Sequence, residues 1–306
     1  MKNKVYVRSN RSITTISLTR LILILPLIIY GIYKNGVYLY RNNYVNVFGL
    51  LKPVIIILGG MIIAGLINFL YEYFIKKHRN ENIVDALFSS FHIEYAALLG
   101  CIMSINVDIY IYFIVLTVIL IISKFIGDRA NTICLAFLVI YTISSLIGGF
   151  EFANIYEASK TFSYELIDYL IGRTPGGIAS THIILLVVAL IGLSVTNNNK
   201  TTISVISIAS YILIVLVYSL VTKNSFLSIL TCNNFLFIAS FVATDSVTSC
   251  YTNRGMILFG ISVSLLSFGL YFVNPILAPI LAVLIISLFT HIIDEKIYLL
   301  AKNKQR

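Results

Sequence analysis

Residues Pro53–Ile75 read PVIIILGGMIIAGLINFLYEYFI, 23 positions with one charge, Glu72, before the basic pair Lys76-Lys77. At about 1.5 Å per residue, a helix of that length covers the ~30 Å hydrocarbon core of a bilayer. The run is apolar throughout and does not alternate, so it does not read as a barrel strand. Lipid offers no partner to backbone N–H and C=O groups, which leaves the helix as the economical structure.

Working outward, nine more apolar runs follow the same logic: Leu18–Tyr33, Ala86–Ile105, Ile109–Ile126, Thr132–Gly149, Ile178–Val195, Ile203–Val221, Phe226–Val247, Met256–Val273 and Ile276–Ile293. The expectation is an all-α polytopic membrane protein of about ten transmembrane helices. Composition agrees: of 306 residues, 58% are hydrophobic and only 11% charged. A soluble domain carries about 25% charged residues, so a water-soluble globule and a disordered chain are both excluded. The net charge of +9 is spread over short loops and termini, which reads as topology and not as a nucleic-acid surface.

Sixteen of the 22 basic residues fall on one side: the N-terminal group ending at Arg20, then Lys76, Lys77, Arg79, Lys124, Arg129, Lys200, Arg254 and the C-terminal group from Lys296. Six fall on the other: Lys34, Arg41, Lys52, Lys160, Arg173 and Lys223. The bias predicts that both termini are cytoplasmic. No small-x-small site follows the first run, which therefore reads as a retained helix and not a cleaved signal. With no Trp, the 20 tyrosines supply the interfacial belt.

One integral membrane domain spans 1–306. Its longest interior loop, 151–177, is expected outside the cytoplasm and separates a first set of five helices (1–150) from a second (178–306). Halves of odd helix number are inverted relative to one another, and such repeats place sites at broken helices near the midplane. Run three, with Ser89, Ser90, His92 and Glu94, and run eight, with Cys232, Asn233, Asn234, Thr244 and Asp245, occupy matching places and look suited to breaking.

Glu94 and Asp245 are the candidates for an ion pathway. An ionisable residue in a span costs roughly 2.5–3.5 kcal/mol on insertion scales and is a functional candidate by default. For Glu94 and His92 the alternative is a helix that starts later, with both at the interface. For Asp245, within Ala243-Thr244-Asp245-Ser246-Val247-Thr248-Ser249, the readings are a cation or ring-system contact, or a helix cap. Gly172-Arg173-Thr174-Pro175-Gly176-Gly177-Ile178-Ala179-Ser180-Thr181 opens run six, either as an anion-binding helix start or as an ordinary turn. His182 and His291 read as packing residues. Cys101, Cys134, Cys232 and Cys250 form no CxxC and read as small hydrophobes, the sharper alternative being an iron–sulfur centre between helices.

Several of these segments fall in an order that resembles the membrane-protein family shared by the Rnf electron-transport complex, where the member is RnfD, and the sodium-translocating NADH:quinone reductase, where it is NqrB. Val7-Arg8-Ser9-Asn10-Arg11-Ser12 is similar to its H-x-R-S-x-x-S start, and Gly172…Pro175-Gly176-Gly177-Ile178 to its G-x-x-P-G-[SC]-I-G-E-T-S turn. Ala243–Ser249 followed by Thr252-Asn253-Arg254-Gly255 is similar to its A-T-D-P-V-[ST]-[SA]-P-x-T-x-x-G, and Ile292-Ile293-Asp294 to its closing P-L-I-D. The resemblance implies a urea-channel-like inverted repeat. It also implies a place among other subunits of an ion-translocating complex that couples flavin-mediated electron transfer to Na⁺ or H⁺ movement. FMN or riboflavin would be held by Pro175, Gly176, Gly177, Ser180, Thr181, Thr244, Asp245 and Thr248. The family's FMN-bearing S-G-A-T is absent; the nearest string, Glu157-Ala158-Ser159-Lys160-Thr161, makes Thr161 the candidate attachment point. The family's Glu in G-E-T-S is replaced by Ser180. A small-solute channel on the same scaffold and a non-redox scaffold subunit are the alternatives.

Overall fold

The computed structural model describes residues 12–76, 83–127, 130–148, 150–152, 164–196, 200–223, 225–231 and 233–303. Among them every regular element is helical. Four helices are long and apolar enough to cross a membrane alone: α1 (Ile13–Arg41), α2 (Val47–Ile75), α9 (Thr201–Thr222) and α12 (Asn253–Tyr271). Shorter apolar helices are α4 (His92–Ile102), α5 (Ile109–Ile126), α6 (Thr132–Ile147), α8 (Ile183–Thr196) and α13 (Ala278–Leu288). The remaining pieces are α3 (Ile83–Leu87), α7 (Leu166–Ile171), α10 (Phe226–Thr231), α11 (Phe235–Phe237, continued by a wide turn over Ile238–Val242) and α14 (Thr290–Asn303).

The side chains are distributed as lipid demands. Ile22, Ile62, Ile114, Leu213 and Leu265 point outward, while Ser17, Arg20, Asn68, Glu94, Ser204, Ser207, Ser264 and Ser267 are buried. A soluble protein does the opposite. Small polar residues let helices approach closely, as where Ser210 and Ser264 share a hydrogen bond between α9 and α12. α2 packs on α4 and α5, and α5 on α6; α9 packs on α11 and α12, and α12 on α13. α1 lies against α8, and α6 against α13.

Runs three and eight are both interrupted. Run three is α3, a turn over 88–91, and α4; run eight is α10 and α11 with Asn233 and Asn234 at the break. Asn234 takes the left-handed conformation, φ +55°, which Asn tolerates better than most residues. α4 and α11 run antiparallel: Tyr95, at the start of α4, bonds to Asp245 just past α11, while the stretch whose Gly177 N–H donates to Asn234 pairs with the end of α4.

Several boundaries differ from the sequence reading. The first helix begins at Ile13, where Ser12 accepts the Thr15 N–H as its cap, so Arg20 lies two turns inside it and not on a flank. Lys34 is likewise buried and not a loop residue. In run six the helix, α8, starts only at Ile183, because 172–182 runs as an extended strap. The last run stops at Leu288, and His291 belongs to the separate helix α14, exposed and 3.8 Å from Glu295.

Candidate functional site

One centre forms where the start of α4 meets the segment after α11. Glu94 sits in the first turn of α4, where the N-terminal dipole favours an acid. Its Oε1 lies 2.7 Å from Arg20 Nη1, and both side chains are 1% exposed or less. Arg20 reaches on to donate Nη2 to the Phe241 carbonyl in the wide turn of α11. One guanidinium from α1 therefore ties together the two interrupted runs. Asp245 lies close enough to Glu94 to interact electrostatically. Its Oδ1 accepts the Tyr95 hydroxyl at 2.9 Å; its Oδ2 accepts Thr248 N at 3.1 Å and Thr248 Oγ1 at 2.7 Å.

The neighbours of this centre brace its backbone. Asn131 caps α6 through Cys134 N and donates to the Val242 carbonyl at 3.1 Å. Lys200 donates to Ser249 O at 2.8 Å and lies 3.7 Å from the Tyr251 ring centroid. Burial pushes the Lys200 ammonium down to about 8, with Asp245, Cys250 and Asp294 pulling it partly back. Asp294 accepts Tyr251 N, Thr252 N and Thr252 Oγ1, at 2.9, 3.2 and 2.6 Å. Thr252 in turn caps α12 through Gly255 N.

A second centre lies at the other end of α1. The wide turn Tyr33–Val37 brings Lys34, Asn35 and Gly36 all inward. Asn35 donates to the Ile178 carbonyl at 2.8 Å, and Lys34 Nζ to Thr174 O at 2.7 Å and Thr181 Oγ1 at 3.0 Å. Among the described residues no carboxylate pairs with Lys34. The strap is held on its other side by α4: Ile178 N donates to Met103 O and Ala179 N to Cys101 O, each at 2.9 Å. Gly177 N donates to Asn234 Oδ1 at 3.3 Å. Gly177 has to be glycine, since a Cβ there would stand 2.6 Å from the Ile102 carbonyl oxygen.

This chain matches the NQR2, RnfD, RnfE family over residues 1–299. It belongs to that family. No significant match to a curated protein was found. Family membership and the outward-facing apolar surface together make the chain an integral membrane protein.

Within this family member, the residues singled out from sequence separate into two groups. Glu94, Thr244, Asp245 and Thr248 gather at the first centre, and Pro175, Gly176, Gly177, Ser180 and Thr181 at the second. They do not border one shared cavity: Arg20 and Lys34 mark the two centres on α1, roughly 20 Å apart along its axis. Glu94 and His92 are buried even though α4 starts at His92, because α1, α5 and the 242–249 segment cover them. Asp245 caps the local turn to Thr248. The strap N–H groups of Gly177, Ile178 and Ala179 are spent on protein acceptors, while the Thr174 and Ser180 hydroxyls are buried without a partner; His182 is a cap, accepting Leu185 N at 3.2 Å. The motif that ends in Ser12 supplies the α1 cap; its earlier residues, Cys232 and Thr161 lie outside the described residues. Cys101, Cys134 and Cys250 are free and buried.

Sequence reasoning missed Arg20, Lys34, Tyr95, Asn131 and Lys200. For Arg20 the signal was present: the Ser12…Thr15 cap puts the helix start well before it. The flavin expected from the family does not fit at the described candidates. Beside Ser180 and Thr181 the free volume is about 10 Å³, at most one water, and a three-ring isoalloxazine is many times larger. Thr244, Asp245 and Thr248 are 5% exposed or less and already hydrogen-bonded. The larger cavity nearby, about 560 Å³, is lined by Ser249, Tyr251, His291, Asp294 and Glu295 among others, and by none of the expected flavin residues.

Proposed function

We propose that this chain is the membrane subunit of an Rnf/Nqr-type complex in a bacterial cell membrane, where electron transfer drives Na⁺ or H⁺ across the bilayer. The family match over 1–299 carries this reading. In it the chain crosses the membrane ten times, as two inverted sets of five with both termini cytoplasmic. The packing supports the inversion: the contacts among α2, α4, α5 and α6 repeat among α9, α11, α12 and α13, and α1 touches α8 and α6 touches α13, as equivalent helices of an inverted repeat would. The ion role falls to Glu94 and Asp245, the buried carboxylates where the two interrupted runs meet. A flavin serving the chain is held by a neighbouring subunit or on the 153–163 segment that includes Thr161.

The packed interior speaks against an open solute channel: Phe235, Phe237 and Phe241 in the second interrupted run have no exposure, and Phe235 stacks on Tyr211 of α9. The test is to purify the chain with the products of its neighbouring genes and reconstitute them in proteoliposomes. Ion movement should depend strictly on an electron donor such as NADH or reduced ferredoxin. Solute uptake by the chain alone, without a redox partner, would replace this reading with the channel. A flavin-fluorescent band in a denaturing gel that vanishes in Thr161→Ala would locate the cofactor on the loop; a band on another subunit would locate it there.

A further inference from the structure

We propose that the ion handled at the Arg20–Glu94 centre is the proton and not sodium. This rests on the functional reading above and narrows it. A sodium ion needs several oxygen lone pairs converging on one point. The groups set against the two carboxylates here are instead a cation and donors: the Arg20 guanidinium forms an ion pair with Glu94, and the Tyr95 hydroxyl, Thr248 N–H and Thr248 hydroxyl donate to Asp245.

Four carbonyl oxygens nearby already accept hydrogen bonds as well. Phe241 O accepts from Arg20, Val242 O from Asn131, and Ser246 O and Ser249 O from Lys200. Entry of a metal cation would require displacing a guanidinium anchored at two points and gathering oxygens already committed. A proton needs one free lone pair. The buried Glu94 Oε2 offers it, and the hydroxyl of Ser17, one turn before Arg20 on α1, is its buried neighbour with no partner elsewhere. The charged and titratable groups around Glu94 are Arg20 from α1, His92 and Tyr95 from its own helix, and Asp245 from the segment after α11. Cys134 of α6 and Lys200 face Asp245 in turn.

The second centre has the same character. Lys34, 2% exposed, donates to Thr174 O and Thr181 Oγ1, so those oxygens too are occupied by a donor.

The test uses the purified full chain and then the assembled complex. Thermal unfolding is compared in sodium chloride and choline chloride at equal ionic strength. A sodium site filled to 100 times its Kd would raise the midpoint by roughly 5 °C; equal midpoints are expected. A sodium-specific rise that disappears in the charge-neutral pair Arg20→Met/Glu94→Gln would overturn the proposal. Infrared difference spectra between about pH 5 and about pH 9 should contain the carbonyl band of a protonated carboxyl. The double variant, which removes both partners of the ion pair together and leaves the net charge of the centre unchanged, should lose that band. No such band in the unaltered protein would also overturn the proposal. In proteoliposomes of the complex, redox-driven acidification without added sodium is expected; sodium uptake that resists a protonophore would refute it. If no redox-linked ion movement occurs at all, the complex reading fails, and the unfolding and infrared results still decide what Glu94 binds.

Discussion

Arg20→Met is the most informative single change. Arg20 and Glu94 are 2.7 Å apart and at most 1% exposed, and Arg20 also satisfies the Phe241 carbonyl. Removing the guanidinium leaves a buried carboxylate without its countercharge, which costs about 3–5 kcal/mol. Replacing both partners, in Arg20→Met/Glu94→Gln, removes the desolvation of two charges together with their attraction and comes out near neutral. The coupling between the two positions should therefore be at least about 3 kcal/mol, far above the ~0.3–0.5 kcal/mol within which independent sites add. For a chain of this size 1 kcal/mol moves the midpoint by about 2 °C, so the single variant should melt roughly 6–10 °C lower. Cys101 and Cys134 are free and buried, so a thiol-reactive dye in detergent reports unfolding directly. If the single and double variants melt together, the ion pair is not what joins α1 to the two interrupted runs.

Three further outcomes follow from the packing. Gly31→Ala should cost about 1–3 kcal/mol, because a Cβ there would stand 2.5 Å from the Ile178 carbonyl oxygen and neither backbone can yield. Gly269→Ala, on α12 with nothing within 4 Å, should instead gain up to ~1 kcal/mol; equal effects in the same melt would contradict the close approach of α1 to the strap. The Lys200 ammonium titrates near 8 in the fold and near 10.4 in an unfolded chain, so the unfolded state binds more protons between those values. Its contribution to stability should rise with pH across that window, and a Lys200→Met variant should lack the rise. Asp294→Ala should cost about 1–3 kcal/mol by stripping the acceptor from Tyr251 N and Thr252 N, whereas Glu295→Ala, whose side chain is 63% exposed, should change the melt little.

The helical class was readable because lipid leaves few options, and Pro53–Ile75 shows as much on its own. The breaks in runs three and eight were readable from Ser89-Ser90 and Asn233-Asn234, polar pairs that an uninterrupted span would not carry. The motif around Asp245 and the closing Asp294 were each visible. That Asp294 caps the turn leading from that motif into α12 was not, since hydrogen bonds across 42 residues leave no local trace. Arg20 was misassigned because charge counting treats any base near a run's end as a flank, while a helix cap at Ser12 sets the start several residues earlier. For the strap 172–182, glycine and proline signal a turn into a helix, which leaves an anion-binding helix start and an ordinary turn as the readings. Its actual pairing with Cys101 and Met103 is an extended contact between distant segments, which no local periodicity encodes.

The reach of Arg20 has a consequence for how the protein is made. The first helix leaves the ribosome carrying a cation whose partners, Glu94 and Phe241, are synthesised much later, the second of them 221 residues on. Until then the helix exposes a guanidinium that hydrocarbon rejects, so it waits at the headgroup boundary or in the shelter of an insertase. Final seating of α1 is thus a late step of biogenesis, and chains truncated before Phe241 should remain substrates for membrane quality-control proteolysis.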